Sequence, residues 1–156
     1  MGAGGAATAI CAQAALDGIE EIHIFAREPS RFWNRTENLV KNINSTLPCH
    51  AVLHENEDKA ALSDAISKST LLLNATSVGM APNTDGTIIT DTSLYHPDLI
   101  VSDVIYNPRE TRFLREAREA GTFNGMYMLL YQGAEAFRLW TGKDMPVKEI
   151  KTKYFS

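Results

Sequence analysis

The sequence predicts an α/β fold: a doubly wound parallel sheet with helices on both faces. Three observations predict it. Short β-prone runs alternate with alanine-rich or amphipathic stretches along the chain. The run "TLLLNA" (Thr70 to Ala75) is apolar without alternation, as a strand buried on both faces is. A glycine-rich stretch, "GAGGAATA" (Gly2 to Ala9), stands directly before a helical pattern. No repeat, low-complexity tract or linker interrupts the 156 residues, so residues 1–156 are expected to form one domain.

After the glycines, "AATAICAQAALDG" is rich in alanine and predicts a helix that Gly18 ends. "IHIFA" (Ile22 to Ala26) alternates and predicts a strand. From Arg31 to Ser45, Phe32, Leu39, Val40 and Ile43 recur at helical spacing. Ala51 to His54 predicts a second strand, Asp58 to Lys68 an amphipathic helix, and Thr70 to Ala75 a third strand. "TSVGMAPNTDGT" is dense in Gly, Pro, Asn and Asp and predicts a loop. "LIVSDVIY" (Leu99 to Tyr106) predicts a strand stopped by Asn107-Pro108. "TRFLREAREAG" (Thr111 to Gly121) puts Phe113, Leu114 and Ala117 on one helical face, with Gly121 as its stop. A long helix is expected from Tyr127 to Trp140, closed by Thr141-Gly142, and a last one from Pro146 to Tyr154.

A formal net charge of −4 gives no electrostatic ground for a nucleic-acid or anionic-membrane partner. No apolar run approaches the roughly 20 residues of a bilayer span. The N-terminus lacks the basic and apolar segments of a signal peptide, so a cytoplasmic setting is expected. Cys11 and Cys49 have no Cys-x-x-Cys spacing and read as reduced thiols. His50 and His54 lie four apart on a β-prone stretch without the glutamate of a zinc-protease helix, so no metal site is expected.

Gly2-Ala3-Gly4-Gly5-Ala6-Ala7 fits the G-x-G-x-x-G/A pattern of dinucleotide-binding loops. Gly2 permits the tight turn, Gly4 lets backbone approach a pyrophosphate, and a small residue at Ala7 lets helix and sheet pack closely. Backbone N–H groups at the helix start then hold phosphate without a cationic side chain. The ribose selector falls just after the second strand, at Arg27 and Glu28. An acid there favours a free 2′-hydroxyl and an arginine a 2′-phosphate, so NAD and NADP both stay open.

"GAGGAATA", "NATSVGM" (Asn74 to Met80), "VIYNP" (Val104 to Pro108) and "LLYQGAEAFRLWTG" (Leu129 to Gly142) occur in this order over nearly the whole chain. Together they resemble the C-terminal nicotinamide-cofactor domain of shikimate dehydrogenases, and the "YQGAEAFRLWTGKDMP" ending is most similar to the quinate/shikimate dehydrogenase branch. The resemblance implies a Rossmann-like cofactor half of a two-domain enzyme. That enzyme moves hydride between the C3 hydroxyl of shikimate and NAD(P)+, giving 3-dehydroshikimate, in aromatic amino-acid and chorismate biosynthesis or quinate metabolism. It implies that Gly2, Ala3, Gly4, Gly5 and Ala6 hold the pyrophosphate and that Arg27, with Glu28 beside it, meets the adenosine ribose. Thr76 and Ser77 lie beside the cofactor, Val104, Tyr106, Asn107, Gly125 and Met128 surround its nicotinamide end, and Gln132 hydrogen-bonds substrate with Tyr106 bordering that pocket. It leaves homodimerisation of a full-length enzyme open.

The residues of the last long helix agree with that reading. Gly125, Met128 and Gln132 fall at i, i+3 and i+7 and share a stripe. Gln132 stands among Leu129, Leu130, Tyr131 and Ala134, which predicts a buried amide needing a polar partner. Glu135 and Arg138 read as a solvated i,i+3 pair.

Three departures qualify the resemblance. Ala26-Arg27-Glu28 stands where shikimate-specific members usually read Asn-Arg-Thr, while Asn34-Arg35-Thr36 falls inside the following helix. Gly125-Met126-Tyr127-Met128 carries tyrosine where the family has its second glycine. The family's catalytic lysine and aspartate precede the glycine loop, so none of these residues is expected to be catalytic. The chain reads as lacking the first strand and the N-terminal substrate domain, and is expected to be inactive alone. In the strand order 3-2-1-4-5-6 that first strand is central, so both its neighbours are expected to carry unpaired edges. Two rival readings stand beside this one. A non-catalytic nucleotide-binding or regulatory module would show the same motifs, whereas a Rossmann methyltransferase accounts for the glycine loop alone.

Overall fold

The computed structural model describes residues 1–118 and 120–155. Among the described residues there are six α-helices and five strands, the strands in two parallel sheets. Helix α1 (Gly5–Leu16) follows the glycine loop. It ends at Asp17, and Gly18, at φ +95°, lets Ile19 N–H return to the Ala14 carbonyl at 3.1 Å. Strand β1 (Glu21–Ala26) pairs with β2 (His50–Glu55) in parallel, Glu21 opposite His50 and Ala26 opposite Glu55. Helix α2 (Trp33–Thr46) makes the crossover between them.

Helix α3 (Lys59–Lys68) is capped by Asp58, whose carboxylate accepts the Ala61 N–H at 2.9 Å. It leads to β3 (Leu71–Asn74), which pairs with β4 (Ile100–Asp103). On the other side of β4 runs β5 (Gly121–Phe123), also parallel. Helices α4 (Arg112–Glu116), α5 (Met126–Thr141) and α6 (Val147–Tyr154) complete the chain. Gly142 closes α5 in the left-handed conformation, as its sequence position predicts.

Two apolar clusters hold these layers. Ala15 of α1 and Ile43 of α2 pack with Cys49 and Ala51 on one face of β1–β2. A larger cluster gathers Phe25, α3 through Leu62, Ala65 and Ile66, β3–β4 through Leu72 and Val101, and α4 through Phe113, Leu114 and Ala117. Leu99, Val101 and Phe113 are wholly buried. Each such side chain contributes about 1.5–3 kcal/mol.

Residues 1 and 2 lie between the two sheets. The Met1 amino group donates to the Leu73 carbonyl at 2.8 Å, and the Met1 carbonyl accepts from Ala75 N–H at 2.9 Å. Bonding the residues before and after Asn74 is the parallel pattern. Across the gap, Gly2 N–H donates to the Phe25 carbonyl at 2.8 Å. The spatial order is therefore β2-β1-(residues 1–2)-β3-β4-β5, with two residues standing at the place of the central strand.

Three expectations change, and one further element appears. The strand predicted over Leu99–Tyr106 ends at Asp103, because the Asp103 carboxylate accepts the Ile105 N–H and turns the chain out of the sheet. The helix predicted over Thr111–Gly121 stops at Glu116, and residue 119 within it lies outside the described residues. Gly121 opens the short exposed strand β5 instead of ending a helix. A 3₁₀ turn at Thr92–Leu94, capped by Asp91, lies beyond the loop predicted over residues 76–87, in a stretch for which the sequence predicts no element.

Candidate functional site

The carboxyl ends of β1, β3 and β4 open into one cleft of about 560 Å³, within the range of small-molecule sites. Gly2 to Ala6 form its floor, Ala26 and Arg27 one end, Thr76 and Ser77 the centre, and Val104 to Asn107 the far wall. Of the predicted residues, Gly2, Ala3, Gly4, Gly5, Ala6, Arg27, Thr76, Ser77, Val104, Tyr106 and Asn107 converge here.

The floor is built for close approach. Gly2 has φ +108°, and a Cβ there would lie 2.9 Å from both the Ala75 carbonyl oxygen and Thr76 Cγ2. Only glycine turns the chain here. At Gly4 and Gly5 a Cβ would meet no protein atom within 4 Å, so it would fill the cleft itself. Helix α1 has no side-chain cap, and its first helical bond runs from Thr8 N–H to the Gly4 carbonyl. Gly2 N–H is spent on the Phe25 carbonyl, so it is the amides from Ala3 onward that face an anion, whose charge the helix end favours.

The walls are held by a buried polar network that sequence reasoning missed. Asp103, 1% exposed, accepts from Ile105 N–H at 2.9 Å, Asn74 Nδ2 at 3.1 Å and the Thr111 hydroxyl at 2.7 Å. Burial raises its pKa, against the lowering effect of those three donors. Asn74 Oδ1 accepts in turn from Thr76 N–H at 3.0 Å and the Thr76 hydroxyl at 2.7 Å, while Asn74 Nδ2 also reaches the Val78 carbonyl. The loops after β3 and β4, which carry Thr76–Ser77 and Val104–Asn107, are thus fastened to one another below the cleft. The available signal was an aspartate at the end of the β-prone run "LIVSDVIY", since a buried Asp is rarely left unpaired.

Asn56 was missed as well. It lines the cleft, and its Oδ1 is buried without a protein donor. Ser30 and Phe32 also border the Arg27 end, with the Arg31 guanidinium 4.6 Å above the Phe32 ring.

Comparison with known proteins follows this geometry. Residues 125–152 match the model of the shikimate 5′-dehydrogenase C-terminal domain. A shikimate dehydrogenase (NADP(+)) of Listeria monocytogenes is 49% identical over 156 residues, covering 99% of this chain and 53% of that protein. A quinate/shikimate dehydrogenase of Escherichia coli is 40% identical over 153 residues, covering 97% of this chain and 53% of its own. The chain belongs to the shikimate dehydrogenase family, matching its C-terminal half. It spans about half the length of the relatives it matches. Among solved structures, shikimate 5-dehydrogenase from Listeria monocytogenes in complex with shikimate and NAD superposes with a TM-score of 0.90 at 49% identity, over 97% of this chain and 53% of that one. Quinate dehydrogenase from Corynebacterium glutamicum in complex with NAD gives 0.81 at 28% identity, over 99% and 52%. The Rossmann-like class is thereby shared with known members.

Four predicted residues stand outside the cleft lining. Glu28 is exposed, and a hydrogen bond with Glu55 is the first of the effects that raise its pKa. Gly125 is buried beneath the far wall, its N–H donating to the Ile105 carbonyl at 3.0 Å. A Cβ there would collide with the Val104 carbonyl, so glycine is required for α5 to seat against this loop. Met128 and Gln132 follow on α5, both exposed. The expectation of a buried Gln132 amide is therefore corrected. Leu130 is the one buried residue of α5 among those described; on the Tyr127–Met128–Tyr131–Gln132 face Lys151 of α6 lies 4.6 Å above the Tyr127 ring, and all four residues remain exposed. Glu135 and Arg138 form the expected exposed pair at 2.6 Å.

Proposed function

We propose that this chain is the cofactor-binding half of a shikimate or quinate/shikimate dehydrogenase, acting in hydride transfer between the C3 hydroxyl of shikimate and NAD(P)+. One observation carries the reading. Free amides at the start of α1, a glycine-rich floor and walls from β1, β3 and β4 meet in a single cleft at the sheet's carboxyl edge. The 49% identical Listeria enzyme was solved with shikimate and NAD, which supports the same class of ligands here.

A nicotinamide dinucleotide, when bound, supplies the hydride acceptor. The chain's own contribution is placement. Amides of Ala3 to Ala6 hold the diphosphate, with Gly2 giving the turn that lets them approach it, and Arg27 meets the adenosine ribose. Arg27 lines the cleft while Glu28 faces solvent beside Glu55, which favours NADP over NAD at the 2′ position. Thr76 and Ser77 lie along the middle of the cofactor. Val104, Tyr106, Asn107, Gly125 and Met128 set the nicotinamide end, with Tyr106 also bordering substrate. Gln132, on the open face of α5, donates to a substrate hydroxyl or carboxylate across the cleft. The proton acceptor for the substrate hydroxyl is assigned to the half of the enzyme that this chain does not span.

The test uses the complete enzyme. Gln132→Ala should raise KM for shikimate about tenfold or more and leave KM for the dinucleotide within about threefold, the loss of one hydrogen bond to a charged or polyhydroxylated ligand. Equal loss of both would refute the assignment of Gln132 to substrate. Absence of NADP+ and NAD+ binding by calorimetry would refute the cofactor reading itself.

A further inference from the structure

Asn56 stands at the outer end of the cleft. It follows β2 directly, and its N–H donates to the Ala26 carbonyl at 2.9 Å, which fixes it one strand beyond Arg27. Adjacent strands lie about 4.8 Å apart. Along the carboxyl edge the order is therefore Val104–Asn107 after β4, Thr76–Ser77 after β3, the glycine loop, Arg27 after β1 and Asn56 after β2.

The side chain itself is a second observation. Asn56 Oδ1 is buried and has no donor among the described residues. A buried acceptor left unpaired is costly. The terminal torsion of an asparagine is soft, and this oxygen has no hydrogen bond to lose by turning into the cleft that Asn56 lines. The surroundings restrict what can bring it a donor. Glu55, Glu57 and Asp58 flank Asn56 in the chain, all three exposed, so an anion is disfavoured there. Ser30 and Phe32 border the same end, and the Phe32 ring adds apolar surface. A flat, uncharged ring with an amino group on its edge fits these conditions.

We infer that Asn56 reads the purine base of the dinucleotide, its Oδ1 accepting from the N6 amine of adenine. The inference rests on the cofactor reading proposed above. With the diphosphate on the glycine loop and the ribose at Arg27, the base is the next group outward and lies at Asn56. The amide Nδ2 then donates to the ring nitrogen beside the amine, the pairing that asparagine makes with adenine in nucleic acids. A 6-oxo purine presents an acceptor where adenine presents a donor, and it leaves Oδ1 unpaired. Asn56 is accordingly a specificity residue, selecting a 6-amino purine over a 6-oxo one.

The test compares NADP+ with nicotinamide hypoxanthine dinucleotide phosphate, which carries oxygen in place of the amine at purine position 6. Calorimetry on the complete enzyme gives the ratio of the two dissociation constants, in which effects common to both ligands cancel. The unchanged enzyme should bind the adenine form about fivefold tighter or more. Asn56→Ala should bring the two within about twofold of each other. Asn56→Asp, which keeps the accepting oxygen and cannot donate, should hold the preference at about fivefold or more. If the alanine variant is insoluble, Asn56→Leu replaces it, filling a similar volume without a polar atom. Equal binding of both ligands by the unchanged enzyme, a preference that alanine or leucine leaves intact, or its loss in the aspartate variant would each overturn the inference. Failure of every form to bind either dinucleotide would instead remove the cofactor reading, and this inference with it.

Discussion

Replacing Asp103 with alanine should cost this chain about 3–4 kcal/mol, and the figure follows from its three donors. Ile105 N–H, the Asn74 amide and the Thr111 hydroxyl all end on this carboxylate, at 2.9, 3.1 and 2.7 Å. Each buried donor left without an acceptor costs about 1–3 kcal/mol. Part returns, because burial raises the Asp103 pKa and the ionised carboxylate is itself costly to hold there. Asp103→Asn keeps an oxygen for Ile105 and Asn74, and the Thr111 hydroxyl can turn to accept from the new amide, so about 1 kcal/mol is expected. Urea unfolding of both variants at one m-value measures the difference. The alanine variant should also weaken dinucleotide binding about tenfold, since the Val104–Asn107 wall loses its anchor, while the asparagine variant stays within about threefold. If alanine and asparagine were equally stable, or if alanine left dinucleotide affinity unchanged, the network would not be what positions these loops.

Three other expectations use the same coordinates. Gly125→Ala drives a Cβ into the Val104 carbonyl, backbone against backbone, and should cost about 2–3 kcal/mol by chemical denaturation; a neutral result would contradict the packing of α5 on that loop. Arg27→Ala should lower NADP+ affinity about tenfold or more, and NAD+ affinity about threefold at most, by calorimetry; equal losses would remove Arg27 from the 2′ position. Stability should fall as pH drops from about 8 to below 6. The Met1 amine is lowered to about 6 by burial, and His54 is lowered by burial and by the charge of His23, 2.9 Å away, with Asp58 opposing. Both bases then bind fewer protons folded than unfolded, so acid favours unfolding. Met1 keeps some solvent contact, and its share is about 1–2 kcal/mol. Thermal midpoints between pH 5.5 and 8.5 check the slope, and His54→Gln should flatten its lower part; a midpoint rising toward acid would reverse the argument.

The sequence by itself determined the alternation of strands and helices, the glycine loop and most of the cleft. Those features depend on near neighbours: the period of apolar residues, the turn that Gly2 permits, the stop that Gly18 and Gly142 provide. What only the tertiary structure decided are contacts between residues far apart in the chain. Asp103 looked like one polar residue in a strand until Asn74, 29 positions away, and Thr111 came within hydrogen-bond reach. Strand β5 is three exposed residues with no periodicity to read, and it exists because β4 offers it an edge. Gln132 sits in a sequence apolar nearly all round, which predicts burial only where something covers the helix, and here Gln132 is exposed. Local pattern fixes a residue's backbone, whereas its exposure is set by whatever packs against it, and that partner is not written beside it in the sequence.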